Sequence, residues 1–340
     1  MTAPTLAKPR ALFFTGPRTL ELRELAREVL PPDSVRVRTT LSAISAGTEL
    51  LFYRGQLEAG IPIDATLPWA GTLSYPLRYG YAAVGCIGEV GAALDPGLLG
   101  QRVFAFQPHQ EELTGRFEHF VRLPDTLSDL RAAFLPNMET ALSLAMDGAP
   151  GFGERVAVIG QGVVGQLLAA LLVRSGAEHV ALFDRRSDRL ERSRSLCGSA
   201  RAEWAPSPEP AHHDRFDLVY ELSGDPSALE AALSLARYEG RIVIGSWYGN
   251  KSAPLDFGTR AHRNRNTFSF SQVSRIDSRH AARFDSARRL GVALSWLERL
   301  PLEGLVTHRF AFERAAEAYS LLDAGAEPHL QVLIDYGTGA

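Results

Sequence analysis

A short apolar segment followed by a glycine-rich turn, near the middle of the chain, constrains the fold more than any other feature. Arg155–Ile159 predicts a buried strand, and the next residues read Gly160-Gln161-Gly162-Val163-Val164-Gly165. Val163–Arg174 has the apolar composition of a buried helix, and Val180–Phe183 predicts a second strand that Asp184 ends. This order of strand, glycine turn, helix and strand is typical of a parallel sheet with right-handed crossovers.

The turn fits the pattern G-x-G-x-x-G in the context that makes this pattern informative. Gly160 would make the tight turn, Gly162 would let the backbone approach a pyrophosphate, and Gly165 would let helix and strand pack closely. Val163 and Val164 would offer free N–H groups to the phosphates at the positive end of the helix dipole. The sequence therefore predicts a dinucleotide site, the alternative being a glycine-rich turn without a ligand.

The residue after the second strand predicts which nicotinamide dinucleotide is bound. Asp184 could accept hydrogen bonds from both ribose hydroxyls of NAD, and its charge would repel the 2′-phosphate of NADP. Arg185, Arg186 and Arg189 follow, and their guanidinium groups could bind that phosphate if Asp184 turned away. We expect NAD, with NADP as the alternative; the arginines could also simply begin a solvated helix.

Two later strands of the same predicted sheet end in small residues. Phe216–Leu222 is followed by Ser223-Gly224, and Arg241–Gly245 leads into Ser246. Ligands of open α/β sheets bind at the carboxyl ends of the strands, so Ser223, Gly224, Gly245 and Ser246 should flank the cofactor. Trp247 follows directly and would border the nicotinamide or the substrate, or else pack in a domain interface.

The chain before residue 150 has a different pattern. Short apolar or alternating runs, separated at close intervals by Gly, Pro and Asp, predict an irregular β-rich domain. After the parallel sheet come a charged helix from His280, a helix at Phe312–Ala324 and a strand at Leu330–Tyr336. We predict an α/β protein with two domains, in which 150–275 form a doubly wound parallel sheet and 1–149 with 276–340 form the β-rich domain.

Composition excludes several classes of protein. The 340 residues carry a net charge of −3, so no basic field would hold nucleic acid or an anionic membrane. The two cysteines exclude a disulfide framework and a zinc lobe of four cysteines. We see no secretory signal and no uncharged run of 18 apolar residues. We therefore expect a soluble, cytoplasmic protein with a small-molecule substrate.

Further motifs resemble those of the medium-chain dehydrogenase/reductase superfamily over nearly the whole chain. Gly100–Ala105 resembles a strand of that superfamily, and Leu305–Phe310 with Glu313–Ala318 resembles its closing strand and helix. More specific segments are similar to its zinc-type alcohol dehydrogenase-like branch, which includes bacteriochlorophyllide a dehydrogenases: Ser42–Glu49, Trp247–Gly249 and Ser271–Val273. The resemblance implies a Rossmann domain, a GroES-like catalytic domain, and hydride transfer between a nicotinamide and an alcohol or carbonyl.

The chain departs from zinc alcohol dehydrogenases at each position that would hold the metal. Ser45 lies in the motif that carries their cysteine, and Tyr81 stands where they have the histidine of Gly-His-Glu. The third position falls near Pro136-Asn137. A catalytic Zn²⁺ needs three nitrogen, sulfur or carboxylate ligands, so we expect no catalytic zinc. A different metal site would have to draw on Glu49, His109 or Glu139.

Without zinc, side chains must move the proton and stabilise the oxyanion. Thr48 matches the hydroxyl that begins the superfamily's proton relay, and the phenol of Tyr81 could point toward the substrate. Glu139 is a candidate general base and His109 a candidate general acid or base. Each has an ordinary alternative: a turn cap, a core tyrosine, a charge at a helix start and a structural histidine, respectively.

Other residues are predicted to complete the site. Thr140 would contact the nicotinamide, while Ser45, Phe106 and Trp247 would form the substrate pocket. The basic segment His262–Arg265 could grip a carboxylate or phosphate of the substrate, or could be solvated.

Two other functions and an assembly stay open at this stage. The arginines near Asp184 would suit an NADPH-dependent quinone or enone reductase. A nucleotide-binding module without activity is the second alternative. The last predicted strand of the parallel sheet, Thr267–Val273, would be an edge, and in the superfamily such edges pair across a homodimer.

Overall fold

The computed structural model describes residues 8–63, 69–198 and 200–337, and the chain divides into two compact units. One unit contains Met1–Phe134 and Val306–Ala340, and the other contains Leu135–Leu305. These limits differ from the predicted domain limits at 149/150 and 275/276. The change of pattern near residue 150 marks where the parallel strands begin, whereas the compact unit also includes one helix before them and two helices after them.

The first unit begins with eight strands and two helices. They are β1 (Arg10–Gly16), β2 (Thr19–Glu24), β3 (Ser34–Ile44), α1 (Ala46–Arg54), β4 (Leu77–Arg78), β5 (Ala83–Val90), β6 (Arg102–Ala105), β7 (Glu112–Arg116), β8 (Phe120–Arg122) and α2 (Asp129–Ala132). A small sheet has the order β2-β1-β4. The predicted β-rich character is confirmed, and a 3₁₀ turn, Phe117–His119, directly precedes β8.

The second unit is the α/β part of the molecule. Its elements are α3 (Leu135–Gly148), β9 (Arg155–Ile159), α4 (Val163–Leu172), β10 (His179–Phe183), α5 (Ser187–Cys197), β11 (Ala202–Ala205), β12 (Phe216–Glu221), α6 (Ala228–Leu235), β13 (Ala236–Ile244), β14 (Thr267–Phe270), α7 (Ser278–Ala281) and α8 (Ser286–Arg299). The strands form one parallel sheet in the order β11-β10-β9-β12-β13-β14. This is the predicted doubly wound sheet.

The central strands of this sheet are apolar because both of their faces are covered. All residues of β9 from Val156 to Ile159 are buried, and so are those of β10 from Val180 to Phe183. Such continuous apolar runs are typical of parallel strands between two layers of helices. The helix predicted from His280 is two helices, because Asp285 caps α8 by accepting a hydrogen bond from the backbone of Arg288 at 2.7 Å.

The chain then returns to the first unit through β15 (Val306–Ala311), α9 (Ala315–Ala324) and β16 (Gln331–Asp335). β16 pairs antiparallel with β3 and parallel with β15, which completes a sheet of seven strands in the order β15-β16-β3-β5-β6-β8, with β7 on β3. The predicted closing helix and strand are therefore present. No helix in the described part of the chain is long and apolar enough to cross a membrane.

Candidate active site

The glycine turn of the second unit has a backbone that only glycine can supply. Gly160 has φ +98°, and a Cβ there would lie 2.6 Å from the backbone of Leu222. A Cβ on Gly165 would lie 2.0 Å from the carbonyl oxygen of Gly160, so this glycine allows α4 to begin directly against β9. Gly162 has open space around its Cβ position and is the N-cap of α4, with no side chain capping the helix. The first-turn N–H groups of α4, including those of Val163 and Val164, therefore lie beside an open space that fits a pyrophosphate.

Asp184 lies at the carboxyl end of β10, next to this turn. Its Oδ2 accepts a hydrogen bond from the backbone N–H of Gln161 at 2.7 Å, and its Oδ1 accepts one from the backbone N–H of Arg186 at 2.9 Å. These two bonds fix the carboxylate while each oxygen keeps a second lone pair for another donor. A ribose with two hydroxyl groups fits these remaining acceptor positions.

The arginines after Asp184 do not draw its carboxylate away from the glycine turn. Arg185 is 85% exposed and lies 3.7 Å from Asp225, and Arg186 pairs with Asp188 at 3.2 Å. Arg189 lies 3.7 Å from Asp184 Oδ2, and burial lowers the pKa of its guanidinium. The arrangement has a carboxylate at its centre and cations around it.

The other predicted cofactor residues also lie at the carboxyl edge of the sheet. The backbone N–H of Gly224 donates to Ser246 Oγ at 2.9 Å, which joins the loops after β12 and β13. Gly245 leaves room for packing, since a Cβ there would lie 2.5 Å from Leu222. Ser223 donates through its backbone N–H to Glu221 Oε1 at 2.7 Å.

Glu221 is a residue of this edge that the sequence analysis missed. It ends β12, is fully buried, and accepts the hydroxyl of Tyr248 at 2.5 Å as well as the Ser223 bonds. Burial, reinforced by this carboxylate, raises the pKa of Tyr248. The available signal was an acidic residue within an otherwise apolar strand. Trp247, beside Tyr248, is 40% exposed.

In the first unit, the residue at the histidine-ligand position contacts a residue of the motif that carries the cysteine in zinc alcohol dehydrogenases. The hydroxyl of Tyr81 donates to Ser45 Oγ at 2.5 Å. Both side chains are half-buried, and Tyr81 packs on the apolar cluster of this unit. Because the phenol donates to Ser45, the hydroxyl hydrogen of Ser45 can be directed to another acceptor. We call these two side chains the hydroxyl pair.

Thr48, predicted for the proton relay, and Phe106, predicted for the substrate pocket, lie in the same unit as the hydroxyl pair, whereas Trp247, also predicted for the pocket, lies in the second unit. Thr48 is half-buried in the first turn of α1, and its backbone N–H donates to the carbonyl of Ser45 at 3.0 Å. Phe106 is half-buried, and its carbonyl accepts the indole N–H of Trp69 at 2.7 Å. The structure brings Thr48 and Ser45 together at the start of α1.

His109 lies in the interior of the first unit, where it contacts Glu49 through Nε2 at 3.0 Å and Ser42 through Nδ1 at 2.7 Å. Both His109 and Glu49 are fully buried. Glu49 also accepts the hydroxyl of Tyr319 and the backbone N–H of Ser45, the latter at 2.7 Å. This geometry favours the structural interpretation of His109 over a general acid that meets substrate directly, and it shows that Glu49 anchors the backbone of the hydroxyl pair.

Glu139 and Thr140 lie on α3 of the second unit. Arg289 of α8 donates to Glu139 Oε1 at 3.2 Å and to Ser143 Oγ at 2.9 Å, and the Glu139 and Arg289 side chains are 9% and 6% exposed. Burial raises the pKa of Glu139, against the opposing effect of Arg289. The hydroxyl of Thr140 donates to the carbonyl of Pro136 at 2.9 Å, within its own helix. A buried arginine partner for Glu139 was not visible in the sequence, because the two residues are 150 positions apart.

The residues present do not fit a catalytic zinc. Ser45 lies in the motif that carries the cysteine, Tyr81 stands at the histidine position and Pro136-Asn137 lies near the third position. Hydroxyl, phenol and amide groups are poor ligands of Zn²⁺. Among residues 8–63, 69–198 and 200–337 no group of three or more His, Cys, Asp or Glu side chains could hold a metal ion. Glu49 and His109, considered above for a different metal site, are already satisfied by protein hydrogen bonds.

The basic segment His262–Arg265 does not lie at the cofactor edge. It precedes β14 and therefore lies at the amino edge of the parallel sheet, whereas Gly160, Asp184 and Ser246 follow strands at the carboxyl edge. The hypothesis that this segment grips a substrate beside the nicotinamide is therefore wrong.

Comparisons with known proteins agree with this reading of the two units. No family model matches the chain. The 2-desacetyl-2-hydroxyethyl bacteriochlorophyllide A dehydrogenase of Cereibacter sphaeroides is 28% identical over 96% of this chain and 98% of its own length. The L-threonine 3-dehydrogenase of Anaeromyxobacter dehalogenans is 26% identical over 89% of this chain and 91% of its own length.

Solved structures show the same fold. The 2R,3R-butanediol dehydrogenase of Bacillus subtilis matches 97% of this chain and all of its own with a TM-score of 0.78 at 18% identity. An alcohol dehydrogenase from E. coli CFT073, complexed with NADH, matches 97% and 100% with a TM-score of 0.75 at 19% identity. A zinc-binding dehydrogenase from Sinorhizobium meliloti, bound to NADP, matches 97% and 99% with a TM-score of 0.76 at 15% identity. The resemblance drawn from the motifs, and the fold class, are confirmed.

Proposed function

We propose that this chain, an alcohol dehydrogenase-like oxidoreductase of the medium-chain dehydrogenase/reductase superfamily, transfers hydride between NAD and a secondary alcohol or its ketone without zinc. The observation that carries the proposal is the hydroxyl pair. Tyr81 stands where zinc alcohol dehydrogenases have a histidine ligand, Ser45 lies in the motif that carries their cysteine, and the two hydroxyl groups are 2.5 Å apart. Two hydrogen-bonded hydroxyl groups can donate a hydrogen bond to a substrate oxygen and stabilise negative charge there. This is the role that a Lewis acid plays when it polarises the substrate carbonyl.

The bound nicotinamide supplies the hydride donor or acceptor, and the chain's own residues handle the proton. In ketone reduction, the Ser45 hydroxyl donates its hydrogen to the substrate oxygen as negative charge develops there. Tyr81 then passes its hydroxyl proton to Ser45 Oγ, along the bond already present, and regains a proton from water. In alcohol oxidation the same protons move in the reverse direction. The hydroxyl pair therefore ends each turnover in its starting state.

The anchoring of Ser45 supports this role. Its backbone N–H donates to Glu49, which is held by His109 and Tyr319 inside the unit. A fully buried and hydrogen-bonded carboxylate keeps its position, and it thereby fixes the start of α1 that carries Ser45 and Thr48. Catalytic groups need such support because a misplacement of about 1 Å can cost roughly 10²-fold in rate.

The proposed preference for NAD follows from Asp184. Its carboxylate is held by two backbone amides and has acceptor positions left for the two ribose hydroxyls. A 2′-phosphate at the same place would bring a charge of about −2 against this carboxylate. Of the structural neighbours, one is described with NADH and another with NADP. They support a nicotinamide cofactor, whereas the choice of NAD over NADP is argued from Asp184.

The proposed substrate class is a secondary alcohol. The relatives' names describe a hydroxyethyl side chain, the 3-position of threonine and 2,3-butanediol, and each of these carries a secondary hydroxyl group. Phe106 and Trp69 lie in the same unit as the hydroxyl pair and are joined by a hydrogen bond of 2.7 Å. Aromatic walls of this kind would suit a substrate with an apolar portion.

Calorimetric titration with NADH, and separately with NADPH, tests the cofactor, and a panel of secondary alcohols with NAD then tests the reaction. We expect tighter binding of NADH and NAD-dependent oxidation of at least one alcohol. Preference for NADPH together with turnover of quinones or enones would establish the alternative reductase, for which the exposed Arg185 provides a phosphate partner. Cofactor binding without any turnover would establish the non-catalytic module.

We also propose that the chain forms a homodimer through β14. This strand ends the order of the parallel sheet, and Phe270 on it is 75% exposed. An edge strand with exposed apolar side chains is a template for pairing with another chain. Light scattering at micromolar concentration should give twice the mass of 37.1 kDa; a single chain mass would refute the dimer.

A further inference from the structure

The basic segment that the active site does not use lies beside a cavity at the opposite edge of the parallel sheet. The cavity is a depression that opens widely to solvent, with a volume of about 540 Å³. Seven residues line it: Asp214, Arg237, Tyr238, Thr259, Arg260, Arg263 and Asn264. We call it the amino-edge cavity.

The backbone around this cavity departs from regular geometry. Between the pairs Phe216–Ala236 and Leu218–Arg241, β12 advances by two residues while β13 advances by five, so β13 carries three extra residues. This bulge turns Arg237 and Tyr238 out of the sheet and into the lining of the cavity. Bulges re-aim side chains in this way and are common next to functional sites.

The bulge is held in place by side-chain and backbone bonds. Asn266 donates through Nδ2 to the carbonyl oxygens of Arg237 and Gly240, at 2.8 and 3.2 Å. The backbone N–H of Glu239 donates to the carbonyl of Asn264 at 2.6 Å. The bulge and the basic segment are therefore joined into one frame.

Backbone strain is also concentrated here. Among the described residues five that are not glycine have left-handed φ angles, and three of them frame this cavity: Asp214 at 54°, Glu239 at 57° and Arg265 at 54°. Non-glycine residues adopt this region at a cost, and such residues cluster where a structure is shaped for function. The cavity is thus a constructed feature of the fold.

The charges that line the cavity favour an anion. Arg260 pairs with Asp214 at 2.5 Å, and Arg237 pairs with Asp217 at 3.2 Å. Arg263 is exposed and has no ion pair or hydrogen bond with any residue that the structure describes. One guanidinium group is therefore free to bind a phosphate through two parallel hydrogen bonds, and Arg260 and Arg237 can share it.

Two further groups define the rest of the ligand. The ring of Tyr238 is 58% exposed and offers a face for a planar ring. Asp214 Oδ1 accepts from Arg260 and Asn264, and its carboxylate keeps lone pairs for a hydroxyl or amino donor. The guanidinium of Arg263 suits a phosphate, the ring of Tyr238 suits a nucleobase, and the carboxylate of Asp214 suits the hydroxyl groups of a sugar.

From these observations we propose that the amino-edge cavity binds a nucleoside phosphate at a site separate from the cofactor site. β12 runs from this cavity to the cofactor edge, and its six residues separate the two by roughly 16 Å. The site would let a nucleotide be sensed by the same unit that holds the dinucleotide, without the two competing.

Calorimetric titration of the full chain with AMP, with and without saturating NADH, tests the proposal. With NADH saturating the cofactor site, we expect AMP to bind one further site per chain. Without NADH we expect a second AMP site at the glycine turn, because AMP is the adenosine half of NAD. Arg263→Gln should weaken AMP binding about tenfold, as loss of one charge-assisted contact does, while Arg283→Gln, an exposed arginine of the same unit, should leave it unchanged. Tyr238→Leu should weaken AMP but leave inorganic phosphate binding as it is.

Three outcomes, all measured with NADH saturating, would overturn the proposal. They are no heat with AMP, equal AMP affinity in wild type and Arg263→Gln, and inorganic phosphate binding as tightly as AMP. Failure of NADH to bind would contradict the proposed function and not this site, because loss of AMP affinity in Arg263→Gln still reports on the cavity. Circular dichroism of both variants would show that each remains folded.

Discussion

The dinucleotide site of the second unit and the hydroxyl pair of the first are built in different ways. The first is made mostly of backbone: glycine turns, the amides at the start of α4 and one carboxylate, Asp184, fixed by two amides. The second is made of side chains, Ser45 and Tyr81, whose positions depend on the buried Glu49. Backbone sites need particular residues at fixed spacing, whereas side-chain sites need only that distant segments meet.

The two buried carboxylates, Glu49 and Glu139, differ in the part of the molecule that each supports. Glu49 is satisfied by a histidine, a tyrosine and an amide, and it supports the hydroxyl pair. Glu139 is satisfied by Arg289 and links α3 to α8. The same residue type therefore supports a site in one unit and helix packing in the other, because the partners differ.

The largest expected effect comes from removing the phenol of the hydroxyl pair. Tyr81→Phe should lower kcat about 10³-fold, because positioned general acid catalysis contributes about 10² to 10⁴. Steady-state kinetics with the best alcohol of the panel measures kcat, and calorimetry should give an unchanged Kd for NADH. The matched control is Tyr75→Phe, which removes a hydroxyl that donates to the backbone of Phe52 in the same unit. Equal kcat values for Tyr81→Phe and wild type would show that the hydroxyl pair does not handle the proton.

Next in size is the loss of the buried partner of Glu139. Arg289→Met leaves a buried carboxylate without its cation and should lower the free energy of unfolding by about 3 kcal/mol at neutral pH. Urea denaturation measures this, with Arg314→Met as control, since the exposed Arg314–Glu317 pair should contribute less than about 1 kcal/mol.

The same variant has a pH dependence with a definite sign. Burial raises the pKa of Glu139, and removal of Arg289 raises it further. An acid whose pKa is higher in the folded state holds its proton more tightly there, so stability falls as pH rises above the ordinary carboxyl value of about 4.3. The deficit of Arg289→Met should therefore shrink toward pH 4 and grow toward pH 7. A deficit that does not change with pH would show that packing of the arginine stem, and not its charge, stabilises the helix pair.

A smaller effect is expected at Asp184, the carboxylate proposed to bind the ribose. Asp184→Asn keeps the shape of the side chain but removes the charge, and it should weaken NADH binding about tenfold while NADPH binding is unchanged or tighter. Glu178→Gln is the matched control, because Glu178 precedes the amino end of the same strand, β10. If NADPH lost as much affinity as NADH, Asp184 would be holding the turn through Gln161 and not selecting the ribose.

No effect at all is expected from a zinc chelator. Treatment with 1,10-phenanthroline should leave kcat/KM unchanged, because the serine, tyrosine and asparagine found in the three ligand regions are poor ligands of Zn²⁺. Elemental analysis of the purified chain provides the independent measurement. Stoichiometric zinc, or activity lost to the chelator and restored by zinc, would replace the hydroxyl pair with a metal centre.

Much of the fold and the cofactor half of the site could be predicted from the sequence. Strand β9, the start of α4 and the end of β10 fall within one residue of their predicted positions, because apolar runs and glycines report local structure directly. The helix Leu135–Gly148 and the strand Ala202–Ala205 were not predicted, since neither has a clear periodic pattern. The bulge in β13 and the cavity beside it were equally invisible, because a register shift is a relation between two strands.

By itself the sequence determined the parallel sheet, the glycine turn and the place of Asp184, because these depend on backbone conformation and on spacing along less than 35 residues. Only the tertiary structure decided which side chains meet: Tyr81 with Ser45, His109 with Glu49, and Arg289 with Glu139. Those pairs are separated by 36, 60 and 150 positions. Contacts at such distances depend on how strands and helices pack, and no local pattern in a single chain encodes them.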